Sequence, residues 1–284
     1  MAGRYKARAV ESNYWKPGDD YIKDIIEAIK NIVADGDFVT VSEKAVSTAL
    51  GNLIDEKNVE PSRLARFIAK YWMQIVWSYI LGPLCRLRWK TIQFLRSYPA
   101  EEGSRHKQLA LMQSGFMRAL MFGSEGAIDG SNLPYSYVAL PLENAQKIAC
   151  QLREEIMSKL GKNVSVVIVD TDKTYSFRRF HFTPRPKPFK GIYSTGGFLA
   201  YVVGRSLKLK KRATPLAVAG PILTEDAIEI AKLANRTRGS GSGKTVWDMA
   251  QNFKVGLNDV TWEMLCSVKH RPIVIIRAKT QMKQ

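Results

Sequence analysis

The chain has 284 residues, 45% of them hydrophobic and 24% charged, which is enough apolar content to bury a core and the charge level of an ordinary globular protein. Its 43 Lys and Arg against 26 Asp and Glu give a formal charge of +17, a surface that attracts nucleic acid, acidic lipid headgroups or nucleotides. Three scattered cysteines, Cys85, Cys150 and Cys266, exclude a disulfide framework and a zinc site, and suit thiols in a reducing cytoplasm.

The basic N-terminus, Met1 to Arg8, lacks the apolar core of a signal peptide. After Gly18-Asp19-Asp20, the apolar series Ile22, Ile25, Ile26, Ile29, Ile32 and Val33 has helical spacing, with acidic residues at its start. Asp35-Gly36-Asp37 ends that helix, and Phe38 to Val41 reads as a strand. Glu60-Pro61-Ser62 opens a long helical region to about Leu95, kinked near Gly82-Pro83. Its most apolar stretch, Tyr71 to Cys85, is too short to span a bilayer and contains Gln74, Gly82 and Pro83, so we expect a buried or interface helix and no membrane span.

Residues 97 to 134 are polar and glycine-bearing, with a short helix at Lys107 to Met121. Tyr135 to Leu140 is strand-like, and Glu143 to Leu160 is an amphipathic helix stopped by Gly161. Val164 to Val169 is a β-branched run expected to form a buried strand ending in Asp170-Thr171-Asp172. The Pro-rich basic loop Thr183 to Lys190 follows. Phe198 to Val203 and Leu216 to Ala219 read as strands flanking the basic run Lys208 to Arg212. Thr224-Glu225-Asp226 caps a helix to about Arg236, and Pro272 to Arg277 is a last strand. Helices and strands without regular βαβ alternation predict an α+β fold. We expect a single unit over residues 1–284, with a subdivision near 172–222.

Three stretches carry chemistry. In Gly126-Ala127-Ile128-Asp129-Gly130-Ser131-Asn132, a carboxylate between glycines sits where backbone can approach a ligand, although the same residues also build ordinary turns. Asp170-Thr171-Asp172, at the end of a buried strand, offers the hard oxygen donors that Mg2+ or Mn2+ prefer and that can share phosphate oxygens with the ion. Gly239-Ser240-Gly241-Ser242-Gly243-Lys244-Thr245 fails as a P-loop, because Arg238 stands where its first glycine belongs and a helix precedes it. The amides around Gly239, Gly241 and Gly243, together with Lys244, still suit a phosphate cradle, with a flexible linker as the alternative. His106, His181 and His270 have no metal-ligand spacing and are read as structural.

In this order the motifs resemble the F-420 gamma-glutamyl ligase family. Asn13-Tyr14-Trp15-Lys16-Pro17-Gly18-Asp19-Asp20 is similar to the family's PLIK-x-GDD start, and Ser42-Glu43-Lys44-Ala45-Val46-Ser47 to its T-Q-K-x-x-S segment. Ala127-Ile128-Asp129-Gly130-Ser131-Asn132 resembles G-[IV]-D-x-S-N, with Ala127 in place of the glycine. Leu140-Pro141-Leu142 and the strand reaching Asp170-Thr171 follow at the family's spacing. Residues 63–120 and 173–222 align poorly. The chain also departs from the family at Thr48, Leu50, Arg238-Gly239-Ser240 and Lys173-Thr174.

The resemblance implies an α+β protein that forms an intertwined homodimer in the cytoplasm. It implies a ligase that uses GTP and Mn2+ or Mg2+, with K+ as a further ion, to join L-glutamate to the carboxylate of a deazaflavin coenzyme through an acyl phosphate. By it, Asp129, Asp170 and Thr171 hold metal, and Asp129 and Asp170 are the catalytic pair, expected within about 4 to 7 Å of each other. Asn13, Tyr14, Trp15, Lys16, Glu43, Lys44 and Asn132 would line the nucleotide pocket. Two other readings remain open on the residues. One is a metal-dependent phosphohydrolase or nucleotide-binding paralogue on the same fold. The other is a nucleic-acid-binding protein that uses the +17 surface.

Overall fold

The computed structural model describes residues 4–123 and 125–279. Among these, nine strands form: β1 (Tyr5–Ser12), β2 (Phe38–Ser42), β3 (Leu53–Asp55), β4 (Tyr137–Ala139), β5 (Ser165–Phe177), β6 (Phe180–Thr183), β7 (Tyr193–Ser194), β8 (Lys210–Ala219) and β9 (His270–Ala278). With the helices between them they give a mixed α/β protein that divides into two compact units. The first comprises the chain up to Leu53, Gly130–Thr171 and everything from Arg212 on. The second comprises Ile54–Asp129 and Asp172–Lys211.

The first unit is built on a mixed sheet in the order β1-β9-β2-β5, with β8 also paired to β5. β9 lies antiparallel to both β1 and β2, whereas β2 and β5 are parallel. Alternation decides the packing. Val39, Val41, Val166, Ile168, Ile273 and Ile275 form one core with Ile25 and Ile29 of helix Tyr21–Ile29 and Ile148, Leu152 and Ile156 of helix Ala145–Leu160. The intervening Val167, Val274 and Ile276 are also buried, and helix Thr224–Arg238 packs across β1, β9 and β2. A sheet buried on both faces reads as continuous apolar sequence, as β5 does at its start.

Local chemistry sets the ends of these elements. Asp20 caps helix Tyr21–Ile29 by accepting from Lys23 N, and left-handed Gly161 ends Ala145–Leu160. Asp37, fully buried, takes a two-pronged ion pair from Arg277, both contacts at 2.7 Å, and accepts from Ala34 N. That pair fastens the entry of β2 to the end of β9.

In the second unit, helix Arg63–Phe67 is capped by Ser62 and continues as a π-helix, Ile68–Leu81. The wide turn is closed by Gly82 N donating to Trp77 O, and a Cβ at Gly82 would lie 2.6 Å from that carbonyl, so only glycine fits. Trp72 and Trp77 both donate their indole N–H to Leu120 O at 2.7 Å, pinning the helix to the turn that leads toward Asp129. Helices Trp89–Arg96, Ala100–Ser114, Phe116–Ala119 and Phe198–Ser206 complete the unit with the second half of β5, β6 and β7.

The expected long helix from Glu60 is therefore several pieces, two of its turns set by Pro83 and the left-handed Arg86. Three further expectations are corrected. β5 does not end at Asp170 but runs to Phe177, because Thr171, Thr174, Tyr175 and Phe177 favour extended backbone and the residues Tyr175 to Phe177 pair in a hairpin with β6. Phe198–Ser206 is a helix rather than a strand. Gly204 lies where any Cβ would strike the Tyr175 ring, so the close approach of helix and ring decides the conformation over local propensity. The strand expected at Leu216–Ala219 begins earlier, at Lys210, so it takes in part of the basic run, and Arg212 is buried against Glu225 and Glu229.

Candidate functional site in the first unit

Sheet register gathers the N-terminal candidates, Glu43-Lys44 and Asp170-Thr171 at one edge. Ser42, the last residue of β2, pairs with Val169 of parallel β5, so Glu43-Lys44, where β2 gives way to a helix, lie beside Asp170-Thr171, where β5 runs on past the end of β2. β9 runs the other way and begins at this edge with His270, which pairs with Ser12, so Asn13 to Lys16 emerge there too. Carboxyl ends of parallel strands are where sheets of this kind collect ligand groups.

Helix Glu43–Ala49 supplies two different roles. The buried Glu43 carboxylate accepts from Leu142 N at 2.8 Å, and Ser47 Oγ donates to Leu140 O at 2.6 Å, which together hold Leu140-Pro141-Leu142. Lys44, one residue on, turns the other way: its Nζ donates to Ser131 O at 2.6 Å and to Ser131 Oγ at 2.7 Å. Thr48 Oγ1 donates back to Lys44 O, an i−4 bond within the helix, so this position adds no cation.

Asn132 is the organising residue. It adopts a left-handed φ of 54°, which asparagine tolerates better than most side chains. Its Oδ1 accepts from Ser242 N at 2.7 Å and Ser242 Oγ at 2.6 Å, its Nδ2 donates to Gly243 O at 3.0 Å, and its carbonyl accepts from the Tyr14 hydroxyl. Three segments distant in sequence are thereby tied to the Ser131-Asn132 turn. Asn252 Nδ2 adds a bond to Ser242 O at 2.6 Å.

The glycine-rich segment is therefore a fastened loop and not a slack linker. Gly241 has φ 60°, and a Cβ there would come within 2.5 Å of Asn132 Oδ1. A Cβ at Gly243 would come within 2.5 Å of Met249 N. Gly239 has φ 81° and open space around it, so its requirement is conformational. Thr245 caps helix Val246–Phe253 by accepting from Asp248 N, so the loop does open a helix, although a helix also precedes it. Lys244 is exposed.

On the other side of Tyr14, Asn13, Tyr14 and Lys16 line an open cleft of about 530 Å³ together with Asp19, Cys266 and His270. His270 Nδ1 donates to Asn13 O at 2.8 Å and its ring lies 4.7 Å from that of Tyr14. Burial works against a charge on His270 and pushes its pKa down to about 4, with Arg238 and Lys44 adding to the effect, so the ring is neutral at physiological pH. Sequence spacing gave no reason to single out His270, because its role depends on strand pairing. Trp15, by contrast, is a core residue, 1% exposed.

Asp170 is half-buried and its Oδ1 accepts from Thr171 N at 2.6 Å. A carboxylate beside a threonine hydroxyl is a hard oxygen donor set, so these two residues fit Mg2+ or Mn2+ chemically. Among the described residues no group of three or more His, Cys, Asp and Glu is placed to hold a metal ion. Asp129, half-buried, is the last residue of the second unit. It follows a turn, Glu125–Ala127, whose Gly126 and Ala127 have φ of 69° and 74°. Glu125 is buried and bonded to Lys107 Nζ at 2.5 Å and to His106 Nε2 at 3.0 Å, while His106 Nδ1 meets Glu56 at 2.5 Å. Burial opposes a charge on His106, but the Glu56 and Glu125 carboxylates outweigh it and raise its pKa to about 10. Burial likewise opposes the Glu125 anion, and Lys107 and His106 overcome it, holding the carboxyl well below its usual range.

The mixed sheet, with these residues gathered at the end of β2 and alongside it on β5, defines a mixed α/β protein. The sequence places it more closely: the pattern of the F420-0:Gamma-glutamyl ligase family matches residues 9–245, and the chain belongs to that family. It is 35% identical, over an alignment of 292 positions covering 98% of both chains, to an uncharacterized protein of Methanocaldococcus jannaschii. It is 25% identical over 156 residues to the coenzyme F420:L-glutamate ligase of Methanopyrus kandleri, covering 55% of each chain. No helix among the described residues is long and apolar enough to cross a membrane.

Proposed function

We propose that this chain is a GTP-dependent ligase that joins L-glutamate to the carboxylate of a deazaflavin coenzyme. The observation that carries the reading is the common sheet edge of Asn13–Lys16, Glu43-Lys44 and Asp170-Thr171, in a chain of this family. In the reaction a coenzyme carboxylate oxygen attacks the γ-phosphorus and GDP leaves. The glutamate amine then attacks the acyl carbon, phosphate leaves, and the amine gives up a proton. Lys44 and Lys16 supply positive charge toward the phosphates, and the Asn132-fastened loop presents backbone amides and Lys244. Asp170 and Thr171 would hold a divalent ion, which supplies charge neutralisation on phosphate oxygens when bound. The family motif assigns Asp129 to metal as well, and a homodimer belongs to the same reading.

The test is incubation of the full chain with GTP, Mn2+, L-glutamate and the coenzyme carrying a free carboxylate, followed by mass spectrometry. Gain of one glutamyl residue per coenzyme, with GDP and phosphate in equal amounts, is the expected result. Phosphate release that ignores coenzyme and glutamate would replace the ligase by the phosphohydrolase reading. Thr48 and the Arg238-Gly239-Ser240 turn, where the chain departs from the family, make that second outcome worth measuring.

A further inference from the structure

The second unit carries an apolar face that the ligase reading does not use. Phe67, Tyr71, Ile75 and Tyr79 recur every four residues, a stripe an α-helix also gives, but on an α-helix Ile80 would lie opposite Tyr71. The π-helix Ile68–Leu81 has roughly 4.4 residues per turn, and at that pitch Tyr71, Ile75, Tyr79 and Ile80 fall on one side, with Phe67 and Leu84 in the helical turns just before and after it. All six are exposed, Tyr79 and Ile80 at 58% and 60%. The opposite side, with Ile68, Met73 and Trp77, is fully buried. Trp89 extends the patch and is itself 60% exposed.

The segment itself carries charge of one sign, although the exposed Glu60, Glu101 and Glu102 flank it. From Pro61 to Ala100 there are seven Lys and Arg and no Asp or Glu, and every one of the seven is exposed. Arg96 lies over the rings of both Tyr79 and Trp89, at 4.5 and 5.0 Å, and Lys70 over Tyr71 at 5.4 Å. Arg86, Arg88 and Lys90 follow directly after the helix. A second copy of this chain would bring seven like charges against seven. A surface that takes aromatics and aliphatics into an apolar layer beneath anionic headgroups satisfies both halves of the pattern.

We propose that this face docks the protein on an anionic lipid bilayer, with the π-helix lying in the interface plane. Tyr71, Tyr79 and Trp89 would sit at headgroup depth, where amphipathic rings are favoured, Ile75, Ile80 and Leu84 would enter the acyl boundary, and the flanking cations would meet lipid phosphates. The segment supplies none of the residues that the ligase reading uses, so the property is independent of that reading.

Co-sedimentation of the full-length protein with vesicles tests the proposal. Vesicles containing about one-third phosphatidylglycerol should carry the protein down, and neutral phosphatidylcholine vesicles should not. Raising the salt to about 1 M should release most of it, since the Debye length falls to roughly 3 Å. Arg86→Gln/Arg88→Gln/Lys90→Gln should weaken partitioning by about 100-fold, from roughly fivefold for each lost cation. Tyr79→Ser/Ile80→Ser should abolish binding, with an unchanged far-ultraviolet spectrum confirming the fold. Brominated lipids should quench the wild-type tryptophan emission and not that of Trp89→Phe, a measurement that does not depend on the other variants folding. No wild-type binding to anionic vesicles overturns the proposal. So does a dimer that Ile80→Asp dissociates, or binding to RNA in place of vesicles.

Discussion

Replacing Asn132 by alanine removes the acceptor for the buried Ser242 N–H and hydroxyl and the donor to Gly243 O. A buried amide left without a partner costs about 1–3 kcal/mol. Alanine at φ 54° adds about 1 kcal/mol of left-handed strain that asparagine partly avoids. The loop at 239–245 should therefore lose about 2–4 kcal/mol of protection against local opening. Hydrogen exchange of the Ser242 amide reads this directly, and should speed up by roughly 30-fold or more. Asn132→Asp separates the two halves of the interaction: it keeps the oxygen that Ser242 donates to, but sets a charged oxygen against Gly243 O in place of the Nδ2 donor. Its Ser242 amide should stay more protected than in the alanine variant. Equal exchange at Ser242 in wild type and Asn132→Ala would show that the bond does not hold the loop. Equal exchange in the alanine and aspartate variants would show that the acceptor is not what matters.

Lys244→Ala should weaken GTP binding by about 1–3 kcal/mol in calorimetry, the scale of one charged hydrogen bond, and unchanged affinity would leave Lys16 and Lys44 as the phosphate contacts. Asp129→Asn should abolish metal-dependent turnover, with loss of Mn2+ affinity by titration as the check; retained Mn2+ binding would remove Asp129 from the metal site. Ala127→Gly should raise stability by about 1 kcal/mol in urea unfolding, because glycine carries the φ of 74° without a Cβ clash. His106 has a folded pKa of about 10 against 6.5 unfolded, so its contribution is fully present below about pH 6.5 and is lost as pH rises through 10. Urea midpoints from pH 7 to 11 should fall by the equivalent of about 2–4 kcal/mol in wild type and much less in His106→Gln.

Much of the first unit was legible in the sequence because its periods are simple. The β-branched runs of β2, β5 and β9 and the series Ile22 to Ile29 match strand and helix spacing, and Gly161 marks a helix end by the conformation only it adopts cheaply. The order of the motifs also indicated the family, and the match over residues 9–245 shows it. Strand register was not legible. That Ser42 pairs with Val169 and Ser12 with His270 follows from which faces the sheet buries, and this long-range choice leaves no local mark on Asp170 or His270. The same limit hid the work of Asn132, since a turn-forming residue in sequence becomes the anchor of a loop 110 positions away only once both segments are folded.

The region from 63 to 96 shows a different limit. Its exposed apolar residues Phe67, Tyr71, Ile75 and Tyr79 recur every four positions, an ordinary helical spacing, but Ile80 falls on the opposite side of an α-helix, so the stretch reads as apolar all round. What puts Ile80 on the side of Tyr71 is the wider turn of the π-helix, and its last turn is closed at Gly82, whose missing Cβ lets its N–H reach the Trp77 carbonyl. Substituting Gly82 by alanine would press a methyl group to 2.6 Å from that oxygen, so the helix would have to rewind toward α geometry near its end. Rewinding would rotate Ile80 away from Tyr71. The face and the glycine therefore stand or fall together, and vesicle binding by Gly82→Ala at wild-type strength would show that the π turn does not shape the surface.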